Sequence, residues 1–194
     1  HDVVFVGGAV TPLLVTDPAA PEARPTFDVD LVVRAVTYGQ YHALGERLRR
    51  LGFAEDVDGP AGRWVVEGVR ADVMPMRETE MHPTNVWYEP AMQFPLVVDL
   101  QDVEGVRIVS APYFLATKLV AFESRGHDDY YGSHDLEDVM AVIIGREELE
   151  GEIATSPSDV REFLAGRVRR LLASPQFVEA LEGFLSTVSS PVSA

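Results

Sequence analysis

The chain has 194 residues, 46% of them hydrophobic, enough for one large domain or a domain with a small helical partner, and disorder is not the default. Sixteen Lys and Arg stand against 31 Asp and Glu, and the resulting charge of −15 repels polyanions at long range and disfavours a broad nucleic-acid footprint. The absence of cysteine excludes disulfides and thiolate metal sites, and no apolar run approaches the roughly 18 residues needed to span a bilayer.

Val3 to Val6 reads as a short buried strand, broken by Gly7-Gly8. Pro12 suits the first turn of a short helix after the glycines. Thr16 to Pro25 is rich in Pro and Ala and reads as a loop, and Asp28 to Val33 reads as a second strand. Tyr41, Leu44, Leu48 and Leu51 recur at helical spacing, with Gly52 as a stop. Arg63 to Glu67 and Val69 to Met74 form an expected strand pair with Gly68 at the turn. Glu78 to Phe94, holding His82, Trp87 and Tyr88, reads mostly as loop, and Pro95 to Leu100 and Val106 to Val109 as a further strand pair. From Pro112 the pattern is helical: one helix through Phe122, a second over Asp135 to Ile144, and two more opened by Ser156-Pro157 and Ser174-Pro175 and ending near Leu185, with a frayed tail from Ser189. The expectation is an α/β (α+β) core with a mixed sheet over residues 1–110, followed by a C-terminal helical bundle over 111–188.

The chemistry concentrates in carboxylates. Asp28 and Asp30 are two apart on one strand, so they share a face about 6.6 Å apart along it. In so acidic a chain Asp-x-Asp can be a solvated face, but Val32 and Val33 argue for a buried strand, where unpaired aspartates are costly. Mg²⁺ favours one or two carboxylates with waters and substrate phosphates. If the strand carrying Asp72 is adjacent, three carboxylates can hold two cations about 4 Å apart. Gly7-Gly8 can be an ordinary turn, or can let backbone N–H groups approach a phosphate at a helix start. His127, Asp128, Asp129 and His134 have metal-binding composition but read as a solvated loop. Trp87 and Tyr88 read as packing a loop onto the core rather than as stacking on a base.

Val4-Phe5-Val6-Gly7-Gly8, then Asp28-Val29-Asp30, then Asp72 together resemble the polymerase-β-like nucleotidyltransferase superfamily. Arg24-Pro25-Thr26-Phe27-Asp28-Val29-Asp30-Leu31 is similar to the approach to the Asp pair in its AbiEii-like branch, which includes toxins of toxin–antitoxin and phage-defence systems. Ala116-Thr117-Lys118 through Arg125-Gly126, followed by His134-Asp135-Leu136-Glu137-Asp138, resembles that family's helical Lys and Arg segment and its later Asp motif. The likeness spans roughly residues 3 to 145, with a longer gap between Gly8 and Asp28 than compact members show.

The resemblance implies catalytic Asp28, Asp30, Asp72, Lys118 and Asp135. Asp28, Asp30 and Asp72 would be metal ligands, with Asp72 activating the acceptor. Gly7, Gly8, Lys118 and Arg125 would meet the nucleotide, and Asp135 or Asp138 would orient Lys118. Two Mg²⁺ ions, or Mn²⁺ in their place, an NTP substrate, and a tRNA, protein or small-molecule acceptor follow, with a cognate antitoxin as a partner in the toxin reading. An antibiotic (aminoglycoside-type) nucleotidyltransferase and a non-catalytic NTP-binding module are the alternatives. A tRNA acceptor needs a local basic strip, for which Arg161, Arg167, Arg169 and Arg170, or Arg47, Arg49 and Arg50, are candidates. No basic-then-apolar leader opens the chain and it has no cysteine, so a cytoplasmic location without membrane contact is expected, and the start at His1 leads us to expect either residues missing upstream or an added residue at that position.

Overall fold

The computed structural model describes residues 3–35, 37–77, 85–126 and 129–188. His82, His127, Asp128 and the tail from Ser189, all singled out above, lie outside them. The chain divides into two compact units. One takes the chain up to Val10 together with Pro25–Ser110, and the other takes Thr11–Arg24 and everything from Ala111 on. A single division after residue 110 therefore misplaces Thr11–Arg24.

The first unit is a seven-stranded mixed sheet: β1 (Val3–Val6), β2 (Asp28–Val33), β3 (Ala54–Glu55), β4 (Arg63–Val66), β5 (Val69–Pro75), β6 (Pro95–Leu100) and β7 (Val103–Val109). The spatial order is β3-β4-β5-β2-β1-β7-β6. β2 runs antiparallel to β1 and parallel to β5, and β1 runs parallel to β7. The β4–β5 hairpin turns on Glu67 (φ 50°) and Gly68 (φ 82°), two consecutive left-handed residues that match the right-handed twist of paired strands.

Among the described residues two α-helices belong to this unit. The first, α2 (Tyr38–Arg50), follows α1, a single turn assigned to the other unit at Thr11–Leu14. The start of α2 is a capping box: the Gln40 N–H donates to Thr37 Oγ1 (3.2 Å) and the Thr37 N–H donates to Gln40 Oε1 (3.1 Å). It ends as the Phe53 N–H reaches back to the Leu48 carbonyl across Gly52, whose φ is +91°. Tyr41, Leu44 and Leu48 of α2 pack with Leu31, Val33, Trp64 and Val73. Strand alternation puts those odd-numbered β2 and β5 residues on the α2 side, so Asp28, Asp30 and Asp72 project from the opposite face. The stretch read as loop contains α3 (Tyr88–Gln93), with buried Ala91 and Met92 on its inner side and Trp87 buried just before it.

The second unit is helical: α1, α4 (Ala111–Arg125), α5 (His134–Gly145), α6 (Leu149–Thr155), α7 (Ser158–Leu172) and α8 (Pro175–Val188). Phe122, Leu136, Met140 and Phe177 form its buried cluster, joined by Tyr130, Leu171 and Phe184. Ser133 caps α5 through the Leu136 N–H, and Asp135 and Glu137 in the first turn complement the helix dipole. The segment after α1 is tied to the end of α5. The N–H groups of Thr16 (2.7 Å) and Asp17 (2.9 Å) both donate to the Gly145 carbonyl, and a Cβ on Gly145 would lie 2.8 Å from Val15. Among the described residues no helix is long and apolar enough to cross a membrane.

Candidate active site

The register of β2 against β5 decides where the acidic residues meet. In the parallel ladder Asp30 is the direct partner of Asp72, and Asp28 pairs with Arg70. Direct partners share a face and sit one strand spacing apart, about 4.8 Å. Asp28, two residues before Asp30, joins the same face. Three carboxylates distant in sequence thus lie together on the side of the sheet away from α2.

Gly7 is coupled to this group. Val6 pairs with Asp30 across the β1–β2 ladder, so β1 ends alongside the Asp pair. Gly7 leaves the strand with φ +71°, and a Cβ built there would lie 1.9 Å from Asp30 Oδ2. Glycine is required twice over, by backbone conformation and by the carboxylate filling the space. Beyond it Gly8–Val10 is a 3₁₀ turn, with the Val10 N–H donating to the Gly7 carbonyl at 3.2 Å, and α1 is one turn long. So short a helix carries little macrodipole, and any anion affinity here comes from individual backbone N–H groups rather than from an extended helix end.

Arg63 on β4 is the residue that the sequence reading missed. Its Nε and one Nη donate to the two oxygens of Asp72, each at 2.7 Å, and the same Nη lies 3.7 Å from Asp28 Oδ2. The fork to Asp72 is the largest cause raising the Arg63 pKa above its ordinary value, with burial opposing and Asp72, Asp28 and Asp56 adding to it. Thr26 Oγ1 donates to Asp28 Oδ1 at 3.0 Å. Tyr41 donates from its hydroxyl to the Val73 carbonyl at 2.9 Å, fixing the backbone next to Asp72, and burial followed by the charge of Glu55 pushes that phenol up to about 12. Among the described residues no three His, Cys, Asp or Glu side chains close into a cation cage as they stand.

The remaining predicted residues gather in the helical unit. Lys118 of α4 is buried, with Nζ 2.6 Å from Asp138 Oδ2 and 3.2 Å from Asp135 Oδ1. Both acids proposed to orient Lys118 therefore contact it, one helical turn apart on α5. Arg125 forks onto Asp135 at 2.7 and 2.8 Å. Arg24 reaches Asp138, with Nε and Nη2 each at 3.2 Å. Burial would raise the Asp135 pKa, but the Arg125 hydrogen bond and the charges of Lys118 and Arg125 outweigh it and hold the carboxyl below its ordinary range.

The two candidate basic strips carry acidic partners. Arg167 and Arg170 both face Glu123, at 2.9 and 3.4 Å, while Arg49 pairs with Glu46 and Glu55 at 2.8 and 2.6 Å.

No family model matches the chain, and no curated protein does. Among solved structures it is similar to an antigenic nucleotidyltransferase-like protein from Paracoccidioides brasiliensis, at 20% identity over 93% of this chain and 84% of that one, with a TM-score of 0.47. It is similar to the antibiotic-resistance factor ANT(2'')-Ia, at 14% identity over 88% of this chain and 85% of that one, TM-score 0.46. A tRNA nucleotidyltransferase complexed with a primer tRNA and an incoming ATP analogue matches at 17% identity over 95% of this chain and 57% of that one, TM-score 0.30. At these scores the likenesses carry no functional argument, which rests on the side chains.

Proposed function

We propose that this chain is a metal-dependent nucleotidyltransferase of the polymerase-β-like kind, with Asp28, Asp30 and Asp72 at its centre. The observation that carries the reading is the parallel pairing of Asp30 with Asp72 beside Gly7, which groups three acids on one sheet face. The donor set fits a hard divalent cation, because all three ligands are carboxylates and a guanidinium already bridges two of them. Asp28 and Asp30 would hold the cation, with Asp72 the third ligand. Mg²⁺ there would supply Lewis-acid neutralisation of phosphate charge and a lowered pKa for the attacking hydroxyl.

Around it, Asp72 is the group assigned to accept the proton of the acceptor hydroxyl. The acceptor oxygen attacks the α-phosphorus of an NTP, the bond to the bridging oxygen breaks, and pyrophosphate leaves. Backbone N–H groups at Gly7-Gly8 are assigned to phosphate. Lys118 and Arg125 are assigned nucleotide contacts and Asp135 their orientation, supported by the sequence resemblance and by the ion network that joins them.

The charge of −15 and the carboxylates facing Arg49, Arg167 and Arg170 favour a protein or a cationic small molecule, aminoglycosides included, over tRNA. A toxin role with a cognate antitoxin rests on the likeness of residues 24–31 to the AbiEii-like branch. The test is transfer of label from each NTP, with Mg²⁺ or Mn²⁺, to bulk tRNA, cell protein or aminoglycosides. Asp30→Ala should abolish transfer while the protein stays folded, and undiminished labelling in that variant rejects the site. NTP binding indifferent to Mg²⁺, without transfer, would instead identify a non-catalytic binding module.

A further inference from the structure

The proposed site uses Asp28, Asp30 and Asp72 and leaves Arg63 without a role. The geometry points to Arg63 as a built-in competitor that a divalent cation must displace from Asp72 and Asp28, making it the positioning residue that sets the site's cation threshold. This inference rests on the nucleotidyltransferase reading of the same carboxylates.

Three observations carry it. The fork fills an acceptor position on each oxygen of Asp72 at 2.7 Å, so a cation closing on that carboxylate meets the guanidinium's charge beside it and loosens the fork. The same guanidinium faces Asp28 at 3.7 Å, so it straddles the two strands that would frame the cation. The Arg63, Asp72 and Asp28 side chains are 18%, 21% and 36% exposed, so water screens this competition only in part.

Arg63 is also tethered. The two-residue turn at Glu67 and Gly68 sets it directly opposite Asp72, so the guanidinium can swing away but cannot diffuse off. A monovalent ion does not match a fixed fork, whereas a compact divalent ion with two carboxylates does. The predicted behaviour is a site indifferent to Na⁺ and K⁺ that responds to Mg²⁺ or Mn²⁺ above a threshold set by residue 63.

The experiment titrates Mn²⁺ into the full chain, followed by electron paramagnetic resonance of the free ion, for the parent, Arg63→Met, Arg63→Lys and Asp30→Asn. Arg63→Met should bind Mn²⁺ about three- to tenfold more tightly, the net scale of one partly screened hydrogen bond. Arg63→Lys, keeping charge but not the fork, should fall between. Arg63→Met should also gain more melting temperature from saturating Mg²⁺ than the parent does, because its carboxylates repel until the ion arrives. If Arg63→Met does not fold, tighter binding by Arg63→Lys than by the parent carries the claim. Unchanged or weaker Mn²⁺ binding in the folded Arg63 variants overturns the inference, and makes Arg63 a support of the site rather than a rival for it. Failure of the underlying reading looks different: the parent binds no Mn²⁺, or Asp30→Asn binds it undiminished.

Discussion

Gly7→Ala tests the coupling between the glycine turn and the acid pair. Gly7 has φ +71°, a left-handed conformation that costs an L-residue about 1–2 kcal/mol. The new methyl would start 1.9 Å from Asp30 Oδ2, so the carboxylate must withdraw by at least about 1 Å to reach even a tight contact. Displacements of about 1 Å at a reacting centre cost on the order of 10²-fold in rate. Gly52→Ala is the matched control: its φ is +91°, and nothing lies within 4 Å of the position its methyl would take. Both variants should lose stability, at about 2–4 °C in melting temperature per kcal/mol for a chain of this length. Only Gly7→Ala should also lose Mn²⁺ affinity and transfer. Thermal melts with Mn²⁺ titration and a transfer assay on both proteins decide the matter, and a Gly7→Ala protein that binds and transfers like Gly52→Ala refutes the coupling.

Lys118→Met leaves Asp135 and Asp138 buried without the ammonium between them, although Arg125 and Arg24 still face them. Removing one partner of a buried pair costs about 3–5 kcal/mol, so with two arginines remaining a loss of about 2–3 kcal/mol is expected in urea unfolding, and an unchanged midpoint would disprove the network's structural weight. Asp135 has its folded pKa depressed below the ordinary 3.8, so its stabilisation is present above that value and is lost as pH falls below it through the folded pKa. Arg125→Ala removes the hydrogen bond that offsets burial. The variant should be less stable at neutral pH and show a shallower acid limb, with the two proteins converging in strong acid, while parallel curves would contradict the assignment.

The local elements that carry the acids were readable because their signals are local: the β-forming run up to Val33, the glycine at the β4–β5 turn, and the helical stretch from Asp135 to Ile144. The pairing of Asp30 with Asp72 was not, since it depends on β5 lying beside β2, a neighbour relation that no residue spacing encodes. Arg63 was within reach. Partners count outward from a two-residue turn, so fixing the turn at Glu67-Gly68 puts residue 63 opposite 72. The elements that were missed lack start signals. Trp87 before α3 and Glu148 before α6 give no side-chain cap, and β3 is two exposed residues. The place of Thr11–Arg24 was hidden because Thr16 to Pro25 reads as surface loop, and the fully buried Leu14 before it gives no sign of which unit it packs into.

The excursion of Thr11–Arg24 has a practical consequence for anyone dissecting the molecule. Cutting after Ser110 would strip the helical fragment of Leu14, whose carbonyl accepts a 2.8 Å hydrogen bond from buried Arg146, and of Arg24, which neutralises Asp138. The severed piece would lack a fully buried leucine and carry an under-compensated carboxylate. Independent folding of the two halves thus calls for a rearranged gene, in which residues 11–24 are spliced onto the helices by a short linker and the sheet is closed across the gap they leave.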